Sequence, residues 1–383
     1  MRFFKIWECM MPISSDRSGA IPALTGLRFA AALMVFFSHY NIPGLNGWAL
    51  RVQGSGYSGV TFFFVLSGFI IAYNYLDRFE SDPIKNTYQY IVSRFARIYP
   101  LYALCIIYPW MNSGLETPLL PYLVGVQAWS SDVYFSFGIN GPAWSVSVEV
   151  FLYLTFPLLI PVLSKLNVIK SRNRLLIFAL FSFAAQLCLA AYFSMPGRAE
   201  LTSINPDSAH RWLYRMPATR IFDFCLGIAA AIYYKRHFVA TNKVQRTWSR
   251  AVTASLLLIL VLMGWSKNFL SAFSWDAAYA ALFTIVILGV AIDQKSKVSA
   301  AFSGKRMILL GESSFAFYLI HAILRPLYTA HPSGSLMYQV LHLAIFLLIV
   351  TCISIGLHLS IERPLQKSIK QLFSKKKSTV AVA

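Results

Sequence analysis

Residues 21–40 read IPALTGLRFAAALMVFFSHY, an apolar stretch that carries two polar groups, Arg28 and His39. At about 1.5 Å per residue, such a stretch is long enough to cross a bilayer core of about 30 Å as one helix. The two residues are separated by about three helical turns, so both project from one face, about 16 Å apart. An arginine inside a span costs about 2.5–3.5 kcal/mol, so Arg28 must face protein, water or a ligand. The alternative is a snorkelling arginine at one interface and an interfacial histidine at the other.

The composition is that of a polytopic membrane protein. The chain has 383 residues, of which 57% are hydrophobic, and its mean hydropathy is +0.57. A soluble protein of this size cannot bury so much apolar surface, whereas a membrane protein has lipid as its solvent. The five cysteines form no C-x-x-C pair, so we expect neither a disulfide framework nor a metal site.

Basic residues are distributed unevenly along the chain. A net charge of +19 would indicate a nucleic-acid partner in a soluble protein, but the positions of the charges explain it here. Of the 34 Lys and Arg residues, 26 lie in the two tails and the loops of one side, five lie on the other side, and three lie inside spans. The apolar stretches predict an all-α polytopic protein with about ten transmembrane helices, and the charge bias places both termini in the cytoplasm and leaves no reason to expect a nucleic-acid partner. The predicted spans lie near residues 21–40, 57–76, 96–112, 143–164, 174–194, 217–234, 250–266, 273–292, 308–329 and 337–360.

The topology divides the chain into three parts. Residues 1–20 form a cytoplasmic N-terminal tail, residues 21–362 a transmembrane domain, and residues 363–383 a basic cytoplasmic tail suited to anionic membrane lipid. Residues 118–129, PLLPYLVGVQAW, are short and rich in proline, and counting them as a span would invert every later loop. We therefore predict a re-entrant or interfacial segment on the outer side there.

Two titratable groups are predicted in the outer half of the membrane, His39 and Glu149. The fourth span begins with NGPAWSVSVEVFLY, in which Ser145, Glu149 and Tyr153 follow one another at intervals of four residues and share a helix face. A carboxylate inside a span is costly unless it is paired or protonated. A histidine beside an acid suits proton transfer near neutral pH, and a structural hydrogen bond that packs two helices is the alternative.

Other polar positions leave two readings open. Arg220 and Asp223 are spaced to neutralise each other, which favours a structural pair. His321 lies within GESSFAFYLIH and either lines a polar cavity or is a satisfied core residue. Trp144, near the outer face, could stack on a sugar ring or belong to an interfacial aromatic belt. Gly59, Ser67 and Gly68 are small residues of the second predicted span, and they favour close helix packing.

A basic motif enters the third span from the cytoplasmic side. Arg94 and Arg97 of SRFARIYPLY are three residues apart, and arginine offers planar, bidentate donors that suit phosphate. The alternative is positive charge that only sets the topology. The chain contains no G-x-G-x-x-G or P-loop motif, so a nucleotide-binding fold of the Rossmann or Walker type is not indicated.

These motifs together resemble the membrane acyltransferase-3 family, polytopic bacterial enzymes that acylate envelope glycans and some small molecules. The resemblance runs from LTGLRFAAALMVFFSHY through GVTFFFVLSGF, SRFARIYPLY, GPAWSVSVEVFLY and GESSFAFYLIH to IERP, and so covers nearly the whole chain. It implies that Arg28 and His39 are the essential pair of the family, that Arg94 and Arg97 form its cytoplasmic basic motif, and that Glu149 is the acid of its Trp-Ser-x-x-x-Glu segment. Some members carry a separate periplasmic domain, and without one the membrane domain would complete the transfer.

The resemblance implies an O-acyltransferase of the bacterial inner membrane that needs no metal. The donor would be acyl-CoA, most simply acetyl-CoA, held by Arg28, Arg94 and Arg97. The acceptor would be a hydroxyl of a lipid-linked or envelope saccharide, with Trp144, Ser145, Tyr153 and His321 as candidate contacts. His39 would act as general base or become acylated, and Glu149 would orient it. Two alternatives stay open, a glycan or lipid transporter and an acyltransferase with a small-molecule acceptor.

Overall fold

A computed structural model describes residues 21–114, 116–238, 241–269, 271–329 and 334–380. Within these ranges the regular structure is helical throughout, which confirms the all-α prediction. The described α-helices are α1 (Pro22–His39), α2 (Gly47–Gly54), α3 (Gly59–Ser81), α4 (Pro83–Ser113), α5 (Leu120–Val124), α6 (Val133–Phe137), α7 (Trp144–Lys165), α8 (Arg172–Phe193), α9 (Pro217–Ile232), α10 (Asn242–Phe269), α11 (Ala277–Ile292), α12 (Lys297–Phe302), α13 (Lys305–Glu312), α14 (Ser314–Ile323), α15 (Leu336–Leu357) and α16 (Arg363–Val380).

Eight helical stretches of the described chain are long and apolar enough to cross a membrane, so the chain is a polytopic membrane protein. Two further predicted spans are shorter here. Helix α9 has 16 residues and continues into a π-helical turn, Tyr233–His237. The ninth predicted span is divided between α13, α14 and a 3₁₀ turn, Arg325–Leu327. The count of ten and the side of the termini stay predictions. The eight stretches are Pro22–His39, Gly47–Ser81, Pro83–Asn112, Gly141–Lys165, Arg172–Phe193, Val244–Trp265, Ser271–Ile292 and Leu336–Phe373.

Residues 118–129 form only short helical pieces, as the sequence predicts. Helix α5 has five residues and a 3₁₀ turn follows at Gln127–Trp129. A buried arginine from the π-helical turn His210–Arg215 holds the next loop in place, because the Arg215 guanidinium donates to the carbonyl oxygens of Ser130 at 2.7 Å and Ser131 at 3.0 Å. These bonds satisfy backbone groups that have no helical partner.

Glycines allow α3 and α9 to pack backbone against backbone. A Cβ on Gly68 would lie 2.1 Å from the carbonyl oxygen of Phe224, and one on Gly227 would lie 1.9 Å from that of Val65. Any larger side chain would force the two helices apart. The prediction that Gly68 serves helix packing is therefore confirmed.

A buried ion cluster ties α9 to its neighbours. The Arg220 guanidinium contacts the carboxylate of Asp223 at 2.9 Å and that of Asp276, just before α11, at 2.8 Å. Gln186 of α8 donates to both carboxylates, at 2.8 and 3.0 Å, and Arg220 also donates to the Thr61 hydroxyl at 2.7 Å. The predicted pair of Arg220 and Asp223 is thus confirmed, and it belongs to a larger network that joins four helical segments.

Candidate active site

A cavity of about 500 Å³ opens among α1, α3, α4, α7, α14 and α16, which is a usual volume for a ligand pocket. We call it the basic chamber, because five of its lining side chains are cationic and a single one, Glu149, is a carboxylate. The cationic residues that line it are Arg28, Arg78, Arg94, Arg97 and Lys370. The chamber is therefore built for an anionic ligand.

Three half-buried arginines dominate the chamber, Arg28 from α1 and Arg94 and Arg97 from α4. Among the described residues, no carboxylate lies within salt-bridge distance of any of them, and the Nε of Arg94 has no hydrogen-bond partner. The Arg94 guanidinium instead lies 5.4 Å from the centre of the Tyr75 ring. By contrast, the Arg220 guanidinium forms ion pairs with two carboxylates. Guanidinium groups held together without salt-bridged carboxylates are costly unless a ligand supplies the anion.

Helix α7 supplies the polar wall of the chamber. Ser145, Glu149 and Tyr153 all line it, as their spacing on one helix face predicts. The Glu149 carboxylate accepts a hydrogen bond from Ser67 of α3 at 3.3 Å and interacts electrostatically with Arg28. The one acid of the chamber therefore faces its cations.

Outside the chamber, the histidine that ends α1 pairs with a histidine of α14. The Nδ1 atom of His39 lies 2.8 Å from Nε2 of His321, and the rings are inclined by only 12°. As a whole residue His39 is exposed, whereas His321 is 1% exposed. His39 is thus the member of the pair that a reactant can reach.

Hydrogen bonds fix the end of α1 against α14. The Tyr40 hydroxyl donates to the carbonyl oxygen of His321 at 2.5 Å. Gln53 in turn donates to the Tyr40 carbonyl at 3.0 Å. Burial of the Tyr40 phenol raises its pKa to about 12, so it remains a donor at any physiological pH.

The expected contact between Glu149 and His39 is wrong for the described chain. His39 hydrogen-bonds to His321, and Glu149 lies in the basic chamber near Arg28. The expected contact rests on Trp144 as a marker of the outer surface and on the depth of Glu149 below it. Trp144 is instead 2% exposed and packs against the Phe64 and Tyr214 rings, so it is a core residue and does not mark that surface.

The four candidate substrate contacts fall into two groups, those that line the chamber and those that do not. Ser145 and Tyr153 line the chamber, whereas Trp144 is a core residue and His321 is buried behind His39. Sequence reasoning missed Gln366 and Lys370, which line the chamber from α16 although the predicted domain boundary at residue 362 places them in a lipid-binding tail. The amphipathic pattern of α16 was the available signal, because one face had to contact protein or membrane.

Comparison with protein families gives a match over most of the chain. A family model described as an acyltransferase domain, Acyl_transf_3, matches residues 21–359. That range includes α1, both histidines and every part of the chamber except its α16 wall.

Individual relatives of this chain are also named as acyltransferases. The acyltransferase MdmB of Streptomyces mycarofaciens is 29% identical over 319 residues, which cover 79% of this chain and 78% of that protein. The peptidoglycan O-acetyltransferase OatA of Listeria monocytogenes is 23% identical over 322 residues, which cover 79% of this chain but only 49% of OatA. The matched part of this chain therefore spans about half the length of OatA. No solved structure matches.

Proposed function

Because the chain belongs to the acyltransferase-3 family, we propose that it moves an acetyl group from acetyl-CoA to a hydroxyl of a cell-envelope or lipid-linked saccharide in the bacterial inner membrane. The observation that carries the proposal is the set of three arginines, Arg28, Arg94 and Arg97, that share one chamber without carboxylate partners. Their guanidinium forks suit the phosphate groups of coenzyme A.

The donor enters the chamber from its arginine-rich end. Arg94, Arg97 and Lys370 hold the phosphates at the side that the charge bias assigns to the cytoplasm, where acyl-CoA is made. The pantetheine arm extends past Arg28 toward Tyr318 at the far end. Arg28 and His39 lie on one face of α1, about 16 Å apart, a length that an extended arm of this kind can cover.

His39 is the general base of the transfer. Its Nε2 atom takes the proton of the acceptor hydroxyl while the hydroxyl oxygen bonds to the thioester carbonyl carbon. The carbon–sulfur bond then breaks, and His39 returns the proton to the thiolate of coenzyme A. Base catalysis of this kind is worth about 10²–10⁴-fold.

The acceptor class rests on the names of relatives. OatA is named a peptidoglycan O-acetyltransferase, which supports a saccharide acceptor for this chain. His39, an exposed residue, is where such an acceptor meets the acyl group.

The test follows acetyl label in membranes that contain the wild type, the His39→Ala variant or a matched control. We expect labelled acetyl-CoA to acetylate lipid-linked saccharide with the wild type, and His39→Ala to lose most of this activity at equal protein level. The control is His237→Ala, which removes a histidine that hydrogen-bonds to the Ile169 carbonyl and does not line the chamber.

Three outcomes would contradict the proposal. Full activity of His39→Ala would show that His39 is not the general base. Transfer of label to a small molecule but not to saccharide would show that the acceptor is a small molecule. Movement of glycan across the membrane without any acyl donor would indicate a transporter.

A further inference from the structure

The two histidine rings meet edge to edge. Rings stacked face to face keep their atoms about 3.5 Å apart, yet Nδ1 of His39 and Nε2 of His321 are 2.8 Å apart with the ring planes only 12° from parallel. The centroid separation of 5.1 Å equals that nitrogen–nitrogen distance plus a ring radius at each end. Each nitrogen therefore lies in the plane of the other ring, where its proton or lone pair points.

The backbone decides which of the two nitrogens carries the proton. The second ring nitrogen of His321, Nδ1, lies 3.2 Å from the carbonyl oxygen of Phe317, which can only accept. Nδ1 of His321 must therefore carry a proton. In a neutral imidazole this leaves Nε2 bare, so Nε2 accepts from His39, and His39 carries its own proton on Nδ1. If Nε2 of His321 carried the proton instead, the lone pair of its Nδ1 would face a lone pair of the Phe317 carbonyl oxygen.

We propose that His321 is a positioning residue that holds His39 in the tautomer whose Nε2 atom is bare. This inference rests on the proposed function, because a general base or an acylated nucleophile needs a free lone pair on the nitrogen that meets the reactant. When His39 takes a proton, the bare Nε2 of His321 continues to accept from Nδ1 and stabilises the imidazolium. The role parallels that of the buried acid in a catalytic triad, with a neutral histidine in its place.

Burial and anchoring suit this role. His321 is 1% exposed and packs between the Phe36 and Tyr318 rings, so it contacts neither solvent nor a substrate in the chamber. Its backbone carbonyl is held by the Tyr40 hydroxyl. The residue after His39 thus fixes the same histidine that accepts from His39, which joins α1 to α14 at two points.

The first test reads the reactivity of His39 without any enzyme substrate. Diethyl pyrocarbonate acylates bare imidazole nitrogens, and mass spectrometry of the purified full-length protein gives the rate at each histidine. We expect His321→Leu to slow modification of His39 severalfold relative to the wild type, because Nδ1 loses its acceptor and the proton redistributes to Nε2. His321→Gln should restore the rate, since its amide can accept from His39 and donate to Phe317. His237 serves as the internal reference.

The second test separates rate from binding. If acetyl transfer is observed for the wild type, His321→Leu should lower kcat by about 10²-fold or more while the KM for acetyl-CoA stays unchanged, and His321→Gln should recover most of the rate. The double variant His39→Ala/His321→Leu should be no slower than His39→Ala alone, because the two residues act as a unit.

The outcomes distinguish this inference from the proposed function. An unchanged His39 modification rate in His321→Leu, or equal slowing in the Leu and Gln variants, would overturn the positioning role. If His321→Leu slows the modification and His321→Gln restores it in a protein that does not use acetyl-CoA, the positioning role stands. Only the proposal that acetyl-CoA is the donor is then wrong. If His321→Leu does not fold, nitrogen-15 spectra of the histidine-labelled wild type decide, because the inference requires both rings to be protonated at Nδ1 and bare at Nε2.

Discussion

The Tyr318 ring lies 6.0 Å from the His321 ring, and Tyr318 lines the basic chamber whereas His321 lies behind His39. Phe63 of α3 packs against Tyr318 at 6.0 Å and lines the chamber too. These two rings therefore form the wall between the cations of the chamber and the histidine pair. In the proposed reaction, an acyl group on the donor must pass them to reach His39.

The first prediction concerns acyl chain length. Phe63→Ala removes a ring from this wall, so butyryl-CoA should gain in kcat/KM relative to acetyl-CoA, by about 10-fold or less if the pocket discriminates by one or two methylenes. Initial rates with both donors in the same membranes measure the ratio. Phe62→Ala is the matched control, because Phe62 is the adjacent phenylalanine and packs against Phe283 instead. The same ratio in all three proteins would show that Phe63 does not limit the path.

Arg97 should affect donor binding through the nucleotide part. Loss of a charged hydrogen bond to phosphate costs about 1.5–3 kcal/mol, so Arg97→Ala should raise the KM for acetyl-CoA by about 10-fold or more. The KM for acetyl-pantetheine, which lacks phosphate, should stay unchanged. Arg306→Ala, an exposed charge removed outside the chamber, should leave both values unchanged. Equal increases for the two donors would place Arg97 away from the phosphates.

Lys370 tests whether α16 belongs to the site. It lines the chamber, whereas Lys367 on the same helix is exposed and does not. Lys370→Ala should raise the KM for acetyl-CoA severalfold with kcat retained, and Lys367→Ala should change neither. If instead both variants leave the KM unchanged, α16 does not belong to the donor site, and its lysines contact lipid as the sequence first indicates.

Sequence patterns identify contacts that are local or that follow from helix geometry. The pair of Arg220 and Asp223, three residues apart, and the close packing at Gly68 could both be predicted from neighbours on one helix. The bond between His39 and His321 joins residues 282 positions apart, and nothing in either helix alone specifies it. Two residues predicted at a similar depth on different helices need not touch each other. The expected contact between Glu149 and His39 rests on depth alone, and it is wrong for this reason.

The buried ion cluster should dominate stability. Arg220→Met leaves Asp223 and Asp276 buried without their cation, and removal of one partner from such a cluster costs about 3–5 kcal/mol. We expect a large drop in the midpoint of thermal unfolding in detergent. Arg236→Met is the control, since it removes partly exposed ion pairs with Asp77 and Glu80, and exposed pairs are each worth about 1 kcal/mol or less. Similar midpoints for the two variants would contradict the structural role.

His210 should make stability depend on pH. Its ring packs against Phe137, Tyr214 and Trp275 in the loop before α9, and this burial, helped by the Arg215 guanidinium, lowers its pKa from 6.5 to about 4. Between those values the unfolded chain binds a proton that the folded chain does not. The free energy of unfolding is therefore highest above pH 6.5 and decreases as the pH falls through this window toward 4.

His210→Gln removes this titration while keeping a polar side chain. Thermal midpoints of the wild type and the variant, measured from pH 7.5 down to 4.5, should converge as the pH falls, because only the wild type loses the contribution of a neutral, buried imidazole. The difference between the two curves isolates His210 from every carboxylate that titrates in both proteins. Parallel curves would mean that His210 takes up its proton at the same pH in the folded and unfolded chains, and that its aromatic surroundings exert no such effect.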